Sequence, residues 1–194
     1  MRALIRRFDG YLRRAHGVFE FSDDPNCLWR LRFAQLPHAV ALPDGDIPAG
    51  ALMLELHLWN EHVPPMLSAG PDPAWAIHST RMLIDSTRAV ARLVQCDPRF
   101  AGVRAIGAVT MLFSAGDRSG GEKLMRRLGF ALFPYQSPLG RFGEFWENLY
   151  TWWLMWAYNA SSLRRRHLLR LRRTEMWMSA NEFVRRYDCE SARQ

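Results

Sequence analysis

The sequence predicts a mixed α/β domain, and three observations carry that prediction. Apolar residues recur with strand period in some segments and with helix period in others. The two kinds of segment follow one another as helix, strands, long helix, strand, short helix, strand and C-terminal helices, an order that fits helices layered on a sheet. Apolar residues make up 48% of 194 positions, enough for one sizeable core and too many for a disordered chain.

Residues 2–16 form an amphipathic helix in which Leu4, Ile5, Phe8, Tyr11 and Leu12 share a face among five arginines. "FSDDPN" breaks it, and "CLWRLRFAQL" (27–36) reads as a strand. "PDGDIPAG" reads as a turn, because prolines and glycines cluster in it. "ALMLELHLWN" (51–60) then alternates as a half-buried strand. The proline-rich loop "VPPMLSAGPDPA" leads to a helix over about 74–96, with Asp72 as its cap and Pro73 at its first position. "VRAIGAVTMLF" (103–113) is a buried strand rich in β-branched residues. "SAGDRSGG" is a loop, "GEKLMRRLGF" a short helix closed by Gly129, and "ALFPY" a short strand.

The remaining quarter differs in character. "FGEFWENLYTWWLMWAYNASS" carries four tryptophans, and "LRRRHLLRLRR" follows with six arginines and no acid. "TEMWMSANEFVRRY" reads as a closing helix with Ser179 as N-cap. The expected organisation is a core over 1–140 and a Trp- and Arg-rich helical extension over 141–194, packed on the core or on a membrane surface.

Charge narrows the partners. The net charge is +7, and of 26 basic residues only Lys123 is lysine. Arginine's planar fork suits phosphate, so an anionic surface is the expected partner. Three scattered cysteines give neither a disulfide framework nor metal spacing. The N-terminus lacks a continuous apolar run, so no signal peptide is expected, and no run of 18 apolar residues suggests a membrane span. The expected location is therefore cytoplasmic.

Two resemblances follow from these segments. The strand at 51–60, the long helix, "GVRAIGAVTMLF" and "GGEKLMRRLGF" together resemble part of the GNAT acyltransferase fold, in which a central strand, a helix, a strand and a short helix with an "LGF"-like turn occur in this order. That resemblance implies a central mixed sheet flanked by helices and an acyl thioester donor. GNAT enzymes hold the CoA pyrophosphate on a glycine-bearing loop before the long helix. Here the place reads "HVPPMLSAGPDPAWA", where prolines remove N–H donors. The implied donor is thus acyl-CoA held another way, or an acyl carrier protein. Separately, "PDGDIPAGALMLELHLWNEHVPPM" is similar to the YkoP-like domain, with its "G-D…G-E-L-H-x-x-N" stretch. That similarity implies a role in envelope polysaccharide metabolism and marks Glu55, His57 and Asn60 as signature positions.

The candidate chemistry centres on the strand. Glu55 and His57 are one strand period apart and face the same way, with side chains roughly 7 Å apart by strand geometry. A carboxylate can orient an imidazole or raise its basicity, and either group could serve as the base for an attacking amine or hydroxyl. The pair equally fits a bracing role, tied to arginines of neighbouring strands. Trp59, Asn60 and His62 lie where the strand opens into a loop and are candidates for substrate binding. Arg118, Gly120 and Gly121 of "SAGDRSGG" are candidates for holding donor phosphate. His38 and His78 read as isolated histidines, and no metal site is expected. Trp152, Trp153 and Trp156, with Arg164, Arg165 and Arg166, are the expected membrane contacts: tryptophan favours the headgroup level and arginine the anionic phosphates. No nucleic-acid motif accompanies the basic stretch.

Two functions stay open at this point. One is an acyltransferase on the cytoplasmic face of the inner membrane, acting on a lipid or lipid-linked sugar. The other is a non-catalytic accessory module of envelope polysaccharide metabolism.

Overall fold

The computed structural model describes residues 1–66, 72–110, 121–163, 168 and 173–188. Its centre is a five-stranded mixed sheet built from β1 (Trp29–Gln35), β4 (Leu52–Leu58), β5 (Ala105–Thr110), β6 (Ala131–Pro134) and β7 (Thr174–Ser179), in the order β1-β4-β5-β7-β6. β4 and β5 run parallel; the other neighbours are antiparallel. Between the parallel strands lies the crossover helix α2 (Pro73–Cys96), which a parallel connection requires. It starts where the sequence places it. Asp72 accepts a hydrogen bond from the Trp75 amide at 2.6 Å, and Pro73 takes the first turn.

One sheet face is covered by helices. Leu31, Leu54, Leu56, Ile106, Ala108, Met176 and Met178 pack with Met82, Leu83, Val90 and Val94 of α2 and with Met125 and Phe183. The last two belong to α3 (Gly121–Arg127) and α5 (Ala180–Tyr187). Gly129 closes α3 with φ +93°, as its place after the helix predicts. The opposite face carries a smaller cluster of Met53, Ala105 and Trp177 under Val40, Leu42 and Ile47. Those three come from a hairpin of β2 (Val40–Leu42) and β3 (Gly45–Ile47), where the sequence suggested only a turn.

A larger difference lies near the C-terminus. Residues 174–179, unassigned in the sequence as the lead-in to the helix capped by Ser179, form β7 and lie between β5 and β6. Only from Ala180 does the helix begin, and there Ser179 caps it, accepting from the Glu182 amide at 3.1 Å. The reason is burial on both faces: Met176 and Met178 enter one core while Glu175 and Trp177 face the other side. Residues from both sides of position 140 thus build one sheet.

α1 (Arg2–Ala15) and α4 (Gly140–Tyr158) pack on one another. Asp9 is buried between them, accepting from Tyr150 Oη at 2.6 Å and Tyr158 Oη at 3.3 Å. Burial and the neighbouring Asp9 carboxylate push the Tyr150 phenol well above its ordinary range, so it stays a donor. Arg13 ties the helix pair to the end of β4 through Glu61 at 3.3 Å. No helix among the described residues is long and apolar enough to cross a membrane.

Candidate active site

Strand register sets the site. Across β1 and β4, Arg32 stands opposite Glu55 and Arg30 opposite His57. Directly opposed residues point to the same face, so the two arginines, the carboxylate and the imidazole form one patch. Arg32 makes an ion pair with Glu55 Oε2, and His57 Nε2 lies 3.4 Å from the same oxygen. The strand spacing alone suggested roughly 7 Å; in the fold the imidazole and the carboxylate lean toward each other, and the arginine meets the same carboxylate oxygen. Nε2 is itself buried, and its contact with the carboxylate is electrostatic rather than an aligned hydrogen bond.

The three groups differ in access. The Glu55 side chain is 11% exposed, whereas His57 keeps 35% and Arg32 28%. Burial pushes the Glu55 carboxyl up, but His57 and Arg32 outweigh it and hold the group below its ordinary value. Glu55 is thus an ionised anchor. With Nε2 turned toward it, Nδ1 is the imidazole nitrogen left for a reacting group.

The patch sits where two strands part. β4 pairs with β5 over three registers only, ending at Glu55 opposite Gly107. Beyond that point β4 runs on to Leu58 and β5 to Thr110, each still paired on its outer side. Leu56–Leu58 and Ala108–Thr110 therefore face each other across a gap in the ladder, with Glu55 at its apex and His57 on one lip. Gly107 at the apex admits no side chain: a Cβ there would meet Met176 O at 1.9 Å and Trp177 Cε3 at 2.4 Å. The Trp177 ring thus covers Gly107.

On the other side of that ring is a second carboxylate–imidazole pair. Buried Glu175 accepts from Trp177 Nε1 at 2.9 Å and faces His38 Nε2 at 3.1 Å. This second pair is not foreseen from the sequence, whereas the Arg32 contact is the neighbouring-strand arginine that the bracing role expects. Reading "TEMWMS" as a strand puts Glu175 and Trp177 on one face, which is the signal available; the partner His38 is brought in by the hairpin.

Trp59, Asn60 and His62 end up close to the patch but in different settings. Trp59 is buried, stacked on the His62 ring at 3.8 Å with the Arg30 guanidinium 4.3 Å from its centroid. Arg30 also binds Glu20 and Glu61, at 2.8 and 3.0 Å. His62 Nδ1 contacts the Cys27 carbonyl at 2.8 Å, and Asn60 is half-buried in the turn. Gly121 is the first residue of α3, while Arg118, Gly120, Arg164, Arg165 and Arg166 lie outside the described residues. Of the tryptophans on α4, Trp153 is exposed and Trp152 and Trp156 are half-buried. A separate cleft of about 380 Å³ between residues 22–27 and α2 is lined by His78, Arg81, Asp85 and Arg92 among others. No group of three or more metal-ligating side chains occurs among the described residues.

Comparison with known families gives a match to the YkoP domain. The YkoP domain model covers residues 37–187, a span that includes β2 to α5 and both carboxylate–imidazole pairs. No curated protein and no solved structure matches the chain.

Proposed function

Starting from the premise that the chain belongs to the YkoP domain family, we propose that it acts as an acyltransferase-like protein at the cytoplasmic face of the inner membrane. It moves an acyl group from an acyl-CoA or acyl carrier protein thioester to an amine or hydroxyl of a lipid or lipid-linked sugar in envelope biosynthesis. The observation that carries this reading is the half-exposed His57, turned on a buried, ionised Glu55 at the point where β4 and β5 separate.

The chemistry follows from that geometry. His57 Nδ1 takes the proton of the attacking amine or hydroxyl, and Glu55 stabilises the imidazolium that forms. The nucleophile adds to the thioester carbonyl, the C–S bond breaks, and the proton passes to the departing thiolate. The inner edges of β4 and β5 beyond Glu55 offer backbone groups to amides of an extended donor arm, as a sheet edge does to an added strand. Arg118, Gly120 and Gly121 supply the donor-phosphate contacts in this proposal, and Trp59, Asn60 and His62 border the acceptor side. The element order β4, α2, β5, α3 with its turn at Gly129 is the order expected of a GNAT-like fold and supports the reading.

A second reading has its own observation. Glu55 is nearly enclosed and already paired with Arg32, an arrangement that also suits a brace in an accessory module of envelope polysaccharide metabolism. One experiment separates the two. The purified chain is incubated with a long-chain acyl-CoA or a loaded acyl carrier protein and amine or hydroxyl acceptors, and products are read by mass spectrometry. The enzyme reading expects acyl transfer that falls at least about 100-fold in His57→Ala. Thioester consumption equal in wild type, His57→Ala and a no-protein control leaves the accessory module.

A further inference from the structure

The helix α1 turns part of its apolar face outward, with only Ile5 and Leu12 of that face half-buried. Its charged side faces the protein: Arg6 donates to the Ala157 carbonyl at 3.1 Å, Asp9 holds Tyr150 and Tyr158, and Arg13 reaches Asp9, Glu20 and Glu61. Arg2 lies over the Trp156 ring at 5.0 Å. Positions 2, 6, 9 and 13 form one helical stripe. On the other side Leu4, Phe8 and Tyr11, spaced by four and three, point outward and are 69%, 47% and 62% exposed. An amphipathic helix on a water-soluble surface does the reverse.

α4 presents a matching stripe. Phe142, Phe145, Trp146 and Trp153 are exposed, and the first three form an edge-to-face cluster at 5.4 and 6.2 Å. Phe8 meets Tyr150 edge-on at 6.2 Å, one turn after Trp146 and one before Trp153, so the two stripes adjoin. Such a continuous exposed apolar area marks an interaction surface.

The charges around the stripes choose the partner. Arg7 and Arg14 lie next to Leu4 and Tyr11 on the α1 wheel, are exposed, and take part in no ion pair among the described residues. Arg141 is exposed at the start of α4, and Glu144 is the exposed acid there. The single acid of α1, Asp9, is buried. Aromatic rings flanked by unpaired arginines fit an interface of acyl chains and anionic headgroups, where an in-plane helix sinks its apolar side.

We propose that α1 and α4 together form a docking surface for an anionic phospholipid bilayer, with Leu4, Phe8, Tyr11, Phe142, Phe145, Trp146 and Trp153 entering the headgroup boundary and Arg7 and Arg14 on the phosphates. This rests on the membrane-surface part of the proposed function and not on its chemistry. It also shifts the contact from Trp152 and Trp156, which are half-buried, to α1 and the outer side of α4.

The test is co-sedimentation of the full chain with vesicles of phosphatidylcholine alone and of phosphatidylcholine mixed with phosphatidylglycerol, together with quenching of tryptophan emission by brominated lipid. Binding is expected on the mixed vesicles, with a drop of at least about tenfold in Arg7→Glu/Arg14→Glu, since each arginine near an anionic surface contributes about fivefold. Phe142→Ser/Trp146→Ser is expected to lose binding and quenching with its circular dichroism spectrum retained. His57→Ala should bind as wild type does, so that failure of the chemistry leaves this surface standing. Absence of wild-type binding, or binding equal in all variants, overturns the proposal. So does a wild-type dimer that Phe142→Ser/Trp146→Ser splits while vesicles go unbound, because a second copy then covers the stripe.

Discussion

Glu55 Oε2 is shared: Arg32 pairs with it and His57 Nε2 stands 3.4 Å away. Its folded-state carboxyl lies below the ordinary value of 4.5, so the unfolded chain binds the proton more readily. The stability this gives is complete above the unfolded value and drains as pH falls through the folded one. Urea unfolding should therefore show stability being lost as pH falls below the ordinary carboxylate range. Glu55→Gln is expected to flatten that acid limb. An unchanged limb would show that the carboxylate gains nothing from its partners.

Removing the arginine should be costly. Arg32→Leu leaves Glu55 buried with only the imidazole for company, and an under-compensated buried carboxylate costs about 1–3 kcal/mol. Since Arg32 is itself partly exposed, the lower half of that range is expected. Arg32→Leu/Glu55→Leu should recover part of the loss, because replacing both partners by apolar groups removes the stranded charge. Chemical denaturation of the single and double variants checks this.

Gly107→Ala should be among the most damaging single changes. The new methyl would sit 1.9 Å from the Met176 carbonyl oxygen, and the backbone of β7 cannot yield as a flexible side chain can. A loss of about 3 kcal/mol or more is expected. Gly102→Ala is the control, meeting only Leu52 Cδ2 at 3.4 Å. Thermal melts of the two variants side by side give the comparison.

Tyr150→Phe tests the seam between α1 and α4. It deletes a 2.6 Å donor to the buried Asp9 carboxylate and should cost about 1–2 kcal/mol. Hydrogen exchange is the sharper readout: amides of Arg2–Ala15 should lose protection while those of β4 and β5 keep theirs.

Much of the frame is legible in the residues alone. Asp72 and Pro73 start α2, Gly129 ends α3 and Ser179 starts α5, because caps and breakers act through their own backbone. Glu55 and His57 share a face because a strand alternates. What escapes is set by distant partners. "TEMWMS" contains no breaker and few β-branched residues, and only burial between β5 and β6 makes it a strand. Arg32 and His38 reach their carboxylates through register and a hairpin, which no local pattern encodes. The outward apolar stripe of α1 escapes for a like reason. Its wheel shows two faces, and which one turns inward depends on Tyr150, Tyr158 and Glu61, 48 or more positions away.

The placement of β7 has a consequence for how the protein is made. A ribosome delivers β5 and β6 well before Thr174–Ser179, and β6 joins the sheet only through that late strand. Until it arrives, a nascent chain carries open sheet edges on β5 and β6, the kind of surface that recruits stray strands from other molecules. Completion must therefore wait for release of the final stretch, and stop codons just upstream of Thr174 should yield aggregates rather than a shortened but working domain.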